Sequence, residues 1–311
     1  MRQHFWNSYD GDGHLGFGGA IAYLVLNRLR NAAPYARLDP QLSIADFDSF
    51  PSVSLDELPG VPSPSRALCD LFWMQLPWAA FERELGSLHV LDLGCGSGRY
   101  GLTLQRWSGN RVTRYVGVDL QDSDDWRRLA AAHAYLSFLR GDVQAIGGLI
   151  PEGTNLIVSQ STLEHVADDV RCFDQIHEYA HRYRRPLLQI HLLPSQACLA
   201  TYLWHGYRQY TPRTLSRIAG RFGDSSERLV VRLGGDACNA LHRRFITWPV
   251  LVRRTSDRRD HDPAAYRLAL RDAVTRDMTS SQRSPAFYAM LVHSNRRERL
   301  LDSGPWKLTH R

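Results

Sequence analysis

Three carboxylates and three closely spaced glycines carry the most legible chemistry in this sequence. Asp92-Leu-Gly94-Cys-Gly96-Ser-Gly98 sets an acid at the end of an apolar run, two residues before the first of three alternate glycines. Glycine has no Cβ and tolerates positive φ, so such a loop can lay its backbone amides against a ligand while a helix from Leu102 points its N-terminus at the same place. Tyr115-Val-Gly-Val-Asp119 closes a second apolar run 21 positions beyond Gly98, followed by Leu120. A carboxylate there can accept both hydroxyls of a ribose. Phe138-Leu-Arg-Gly-Asp142-Val143 closes a third run, where the acid can accept from an adenine amino group and the Val143 amide can meet a ring nitrogen. Three acids in strand order predict a nucleoside site.

Two readings of the glycine loop compete. Gly96-Ser-Gly98-Arg-Tyr-Gly101 also satisfies the dinucleotide pattern G-x-G-x-x-G. Asp92 decides between them, because a carboxylate at the strand end opposes a pyrophosphate and pairs with an ammonium. S-adenosylmethionine carries that ammonium and no phosphate. Gly101 then becomes a helix-packing residue.

A fourth run, Leu156-Ile-Val-Ser-Gln160, leads into Ser161-Thr-Leu-Glu-His165-Val. Histidine titrates near neutrality and can take a proton from a hydroxyl or amine acceptor. His165, at a strand end, is the leading candidate base, with a structural role in its loop as the alternative. His191, placed just past a fifth strand, and His205 with Tyr207 are further candidates, against ordinary packing. The segment Ser159-Gln160-Ser161 lacks paired acids, so no metal site is expected. Asp10 and Asp12 brush against a calcium loop, but Ile21 holds the place where a bidentate Glu is required.

With Asp92/Gly94/Gly96/Gly98, Asp119, Asp142 and Leu163-Glu-His-Val166 in this order, about residues 86 to 193 resemble the class I S-adenosylmethionine-dependent methyltransferases. The likeness is greatest to the small-molecule group with a Leu-Glu-His-Val segment after the fourth strand. The resemblance implies a doubly wound, mostly parallel seven-stranded sheet whose last strand, Phe287–His293, is antiparallel. It also implies that Gln160 and Ser161 line the cofactor cleft and that S-adenosylhomocysteine is the product. Such a protein mainly aligns nucleophile and methyl group and shields them from water.

The elements that must position these residues follow from periodicity. Strands are expected at His89–Leu93, Arg114–Asp119, Ser137–Gly141, Leu156–Gln160, Leu187–Leu192, Leu229–Leu233 and Phe287–His293. Helical stretches at Leu102–Trp107, Asp124–Ala134, Asp168–Tyr183 and Thr211–Phe222 alternate with them, which argues for an α/β fold with ligands at the carboxyl ends of the strands. Pro77 should kink or divide a helix over Ser65–Leu85. Ahead of it, a helix over Ala20–Arg30 and a proline-rich loop over Pro34–Pro64 do not read as the start of a sheet. The domain expectation is an N-terminal lid and helical extension over 1–85. A methyltransferase domain follows over 86–311, with a helical insertion at about 234–285.

Composition bounds the partners. The 311 residues are 43% apolar, enough to bury a substantial core, with no run long enough to span a membrane and no leader-like start. Five scattered cysteines suggest neither disulfides nor zinc and fit the cytoplasm. Lys307 is the single lysine among 38 basic residues, which removes P-loop and Schiff-base chemistry. A net charge of +6 permits a nucleic-acid partner without demanding one, and few aromatics interleave with the arginine clusters. The expected activity is methylation of a small-molecule acceptor at oxygen of a sugar or secondary metabolite. Alternatives are an RNA methyltransferase, a nicotinamide-dependent oxidoreductase and a non-catalytic cofactor-binding subunit. The sequence leaves a homodimer open.

Overall fold

A computed structural model describes residues 9–32, 38–48, 55–58, 60–223, 225–251, 257–259, 261–280, 282 and 284–310. The aromatic start His4–Ser8 and the Arg253–Arg254 pair lie outside the described residues. The chain opens with α1 (Phe17–Ala32), β1 (Leu42–Phe47), α2 (Pro64–Gln75) and α3 (Trp78–Leu85). An alternating series follows: β2 (Leu88–Leu93), α4 (Tyr100–Trp107), β3 (Val112–Asp119), α5 (Asp124–Ala132), β4 (Leu136–Arg140) and β5 (Leu156–Gln160). Next come α6 (Asp169–Tyr183), β6 (Leu187–Pro194), α7 (Cys198–Thr201), α8 (Pro212–Ala219) and β7 (Glu227–Leu233). The chain ends with α9 (Asp236–His242), α10 (Trp248–Leu251), α11 (Pro263–Thr279), β8 (Phe287–Ser294) and β9 (Trp306–His310).

Local sequence sets several helix starts. Ser63 accepts from the Arg66 amide ahead of Pro64, Thr211 and Thr214 form a reciprocal cap ahead of Pro212, and Asp262 accepts from the Ala265 amide ahead of Pro263. A proline at the first helical position costs no hydrogen bond, and the preceding oxygen satisfies a donor the helix cannot. Pro77 divides α2 from α3 as its missing N–H requires, and Trp78 ties the joint by donating to the Trp73 carbonyl at 3.0 Å.

The sheet has nine strands, not seven, in the order β4-β3-β2-β5-β6-β8-β7-β1-β9. The expected antiparallel strand is β8, between β6 and β7. The two additional strands extend the β7 edge: β1 runs parallel to β7, and β9 runs antiparallel to β1. β1 falls inside the stretch expected to be a loop. Its Leu42, Ile44 and Phe47 are buried, and Arg232 on β7 donates to Asp46 at 2.6 Å while Arg228 reaches Asp39.

One face of the sheet packs against α2, α3, α4, α9 and α11, and the other against α6 and α8. Strand order reverses at β2, which pairs with β3 on one side and β5 on the other, so a crevice opens beyond their carboxyl ends. The helices between β7 and β8 are fixed to the sheet by Asp277 on α11. Its carboxylate accepts from the amides of Gly235, Ala237 and Cys238 at 2.7, 3.1 and 2.9 Å, at the start of α9. Among the described residues, no helix is long and apolar enough to cross a membrane.

Asp277 is 2% exposed, so replacing it leaves three desolvated amides without an acceptor. Asp277→Ala should lower the urea-unfolding midpoint by the equivalent of about 2–4 kcal/mol. A midpoint equal to that of the wild type would remove Asp277 as the tie.

Candidate functional site

The loop from β2 to α4 is shaped by close approach. Gly94 has φ of +74°, and a Cβ on it would lie 2.1 Å from the Thr162 side chain; one on Gly98, at φ of +76°, would lie 2.3 Å from the Phe138 ring. Only glycine fits at either place. The loop is fastened to β3, since the Gly94 and Cys95 amides donate to the Val118 carbonyl and the Gly96 amide donates to Asp119 Oδ2 at 2.9 Å. Gly101 packs as expected: a Cβ there would meet Leu136 and Tyr115 within 2.9 and 3.0 Å.

Against this loop lies a cavity of about 560 Å³, lined by Asp92, Gly94, Gly96, Ser97, Tyr100 and Gln160 from the sheet side. α2 adds Arg66 and Asp70, which sequence reasoning missed. The available signal was their spacing of four, one helical turn, on a helix read as packing. Asp70 and Asp92 are both 4% exposed. Asp70 Oδ1 accepts from the Tyr100 hydroxyl at 2.8 Å, and Asp92 Oδ2 accepts from the Tyr115 hydroxyl. Burial outweighs these bonds and pushes each carboxyl up to about 6. Trp73 orients the cavity wall by donating to Gln160 Oε1 at 2.7 Å.

Other expected residues sit around the cavity without lining it. Asp119 is half-buried and holds the loop through Gly96, accepting also from the Gln121 amide at 3.1 Å. Leu120 beside it is exposed. Asp142 is exposed and caps a short turn over Val143–Gly148 by accepting from the Gln144 amide at 2.8 Å, with the Val143 side chain buried. Trp126 stacks on Phe138 and donates to the Gly96 carbonyl at 2.8 Å, closing that side.

Just beyond Gln160, Ser161 takes φ of +54°, outside the region a side chain favours. Its hydroxyl donates to Glu164 Oε1 at 2.7 Å, and Glu164 is fully buried. His165 and His205 meet there with ring centroids 4.6 Å apart. Their Nδ1 atoms lie 2.7 and 3.4 Å from the Asp12 carboxylate, and their Nε2 atoms 3.8 and 3.6 Å from Glu164 Oε1. Burial opposes charge on His205, but the hydrogen bond and charge of Glu164, helped by Asp12, outweigh it and raise its pKa.

Asp12 arrives from the other end of the chain. The Gly11 amide donates to the Gly206 carbonyl and the Gly206 amide to Asp12 Oδ2, both at 2.8 Å. Tyr23 on α1 donates to the His205 carbonyl at 2.8 Å. A Cβ on Gly206, at φ of +60°, would lie 2.6 Å from the Glu164 carbonyl oxygen. In the sequence Asp12 shows only the start of a calcium loop, because nothing local pairs it with residues some 150 to 190 positions away.

His191 is corrected. It lies inside β6 rather than past it, fully buried, with Nδ1 2.8 Å from Ser159 Oγ and Phe173 edge-on at 5.0 Å. Burial pushes its pKa down to about 3, which keeps the ring neutral in the core.

Residues 90–182 match the family model described as a methyltransferase domain. No curated protein matches the chain. Among solved structures, it is similar to an S-adenosylmethionine-dependent methyltransferase from Mesorhizobium loti at 16% identity, covering 70% of this chain and 96% of that one with a TM-score of 0.42. It is also similar to the plantazolicin methyltransferase BamL at 11% identity, covering 75% and 85% with a TM-score of 0.42. The StiE O-methyltransferase segment gives 11% identity, 76% of each chain and a TM-score of 0.44.

Gly206→Ala should unseat the N-terminal turn, because its methyl would collide with the Glu164 carbonyl in a backbone conformation alanine avoids. Amide hydrogen exchange at residues 11–15 and 203–207 should speed by about tenfold or more, with β2–β6 protection unchanged. Unaltered exchange at both segments would contradict the docking.

Proposed function

We propose, from the premise that this chain carries a class I S-adenosylmethionine-dependent methyltransferase domain, that it methylates a small-molecule acceptor at oxygen. A sugar or other bulky secondary metabolite is the acceptor class that the additions around the sheet suit best. We assign the additions as residues 1–85, a lid and helical extension that also lends β1 to the sheet, and 234–285, a helical insertion in the domain over 86–311.

The observation that carries this reading is the charge pattern of the cavity. A zwitterionic amino-acid group needs an anion for its ammonium and a cation for its carboxylate within a few ångströms. Asp92 and Asp70 offer the first and Arg66 the second, all lining one cavity with the glycine loop. Asp119 would receive the ribose hydroxyls, with Leu120 beside it, and Asp142 and Val143 the adenine edge. Bound there, S-adenosylmethionine supplies an electrophilic methyl carbon and leaves as S-adenosylhomocysteine. Gln160 and Ser161 then join the cofactor side to the histidine cluster, because Gln160 lines the cavity and Ser161 bonds Glu164.

The chain's own task at the acceptor is to move a proton. In the His165 tautomer with hydrogen on Nδ1, that nitrogen donates to Asp12, leaving the Nε2 lone pair to take a hydroxyl proton. The side chain of His165 is 35% exposed against 28% for His205, so it is the imidazole an acceptor reaches more easily. Lid residues 9–32 exclude water from one side of the cluster.

Two consequences are measurable. Calorimetric titration should show S-adenosylhomocysteine binding and no binding of NAD, and Asp119→Ala should abolish the former with the circular dichroism spectrum unchanged. Undiminished affinity would mean the ribose lies elsewhere. Affinity should also weaken below about pH 6, where protons compete with the ligand ammonium for Asp92 and Asp70. The sign follows because a bound cation lowers both carboxyl pKa values, so binding releases protons and is favoured as pH rises. Each group contributes up to about tenfold per pH unit, and Asp92→Asn should flatten the profile. A pH-independent affinity between about 5 and 7 would separate these acids from the ligand.

A further inference from the structure

We propose that Asp12, His165 and His205, backed by Glu164, form a site for one divalent transition-metal ion at the acceptor end of the cleft. Each of Asp12, His165 and His205 brings one ligand-type atom, and these atoms lie within 4.8 Å of one another. An ion held tetrahedrally at about 2.0–2.2 Å by nitrogen and oxygen sets its ligand atoms about 3.4 Å apart, so the outermost pair must approach by roughly 1.4 Å, shared between two side chains, to close the set.

Three further observations support the site. Glu164 is fully buried, yet its Oε2 has no hydrogen-bond partner among the described residues, while Oε1 faces both Nε2 atoms at 3.8 and 3.6 Å. A desolvated carboxylate oxygen left open calls for a cation nearby. Ser161, held at positive φ, fixes that carboxylate by donating to the same Oε1. The side chains of Asp12, His165 and His205 are 43, 35 and 28% exposed, so the cluster is buried at Glu164 and open toward solvent. Such a site keeps coordination positions for an exogenous oxygen.

The donor set decides the class of ion. Two imidazoles with one or two carboxylates suit zinc, cobalt, nickel, iron or manganese, whereas magnesium and calcium take oxygen alone. The ligands come from the N-terminal turn, the segment after β5 and the segment after α7, so an ion would clamp the lid onto the domain. Its consequence for catalysis rests on the methyl-transfer reading, since His165 would then serve as a ligand and the ion would lower the pKa of an acceptor hydroxyl.

The test is cobalt titration of the full chain, stripped with chelator and free of cofactor. One equivalent should bind, with visible d–d absorption that zinc abolishes and with two hyperfine-shifted imidazole N–H resonances. His165→Ala, His205→Ala and Asp12→Asn should each weaken binding by about tenfold or more, while His14→Ala on the same N-terminal turn should not. No stoichiometric uptake by the wild type, or uptake without the two imidazole signals, overturns the site. So does uptake that all three variants leave unchanged. S-adenosylhomocysteine binding, measured separately, distinguishes the readings: its failure with cobalt uptake intact removes the methyl-transfer proposal and leaves the metal site standing.

Discussion

Asp92 sits at the end of a central strand, 4% exposed, hydrogen-bonded to the Tyr115 hydroxyl. That hydroxyl satisfies a lone pair but brings no positive charge, and burial has moved the carboxyl from 3.8 to about 6. A raised pKa means the folded state favours the proton, so ionising Asp92 above pH 6 destabilises the fold by about 3 kcal/mol. The cost is absent below the unfolded pKa and grows as pH rises through the interval. Asp70 repeats the arrangement across the same cavity with Tyr100 as donor. Two buried acids line one cavity, and with Arg66 the cation beside Asp70, Asp92 is where the ammonium of a ligand gains most. The strand reversal at β2, the glycine loop and the helix α2 all serve to bring that pair to one place.

The same imbalance recurs at Glu164. It is buried behind the segment that follows β5, and the groups facing it are a serine hydroxyl and two imidazoles. Asp12 from the N-terminal turn faces the imidazoles from the other side. Two carboxylates around two titratable rings can be balanced by protons or by a metal ion, and either makes the docking of residues 9–32 depend on what the cluster holds. The N-terminal turn and the histidine cluster are therefore one electrostatic unit.

Much of this was legible in the sequence, and the reason differs element by element. The glycine loop and Asp119 could be read because a strand, a turn and a helix N-terminus each leave a local mark within 30 residues. The split at Pro77 is equally local. β1 and β9 could not be read, since the six-residue β1 gains its identity from pairing with β7 nearly 190 residues away and the edge strand β9 gains its own from pairing with β1. His191 was misplaced because β6 is buried on both faces and shows no alternation to mark where it ends. Arg66, Asp70 and Asp12 carry ordinary surface chemistry until the fold sets them beside a cavity or two imidazoles.

The near absence of lysine also acquires a structural account at one buried position. Arg208 is 1% exposed and donates to the carbonyls of Leu163, Val166 and Ala167, with Asp169 3.4 Å away. These carbonyls belong to the segment carrying Glu164 and His165. A planar guanidinium spreads its donors across several carbonyls at once, which an ammonium on a flexible stem cannot match. Arg228 and Arg232 act likewise at the sheet edge, each joining β7 to an acid at or beside β1. Arginine at these positions organises backbone and acids within the protein, so the basic balance of the sequence does not by itself argue for a phosphate-bearing partner.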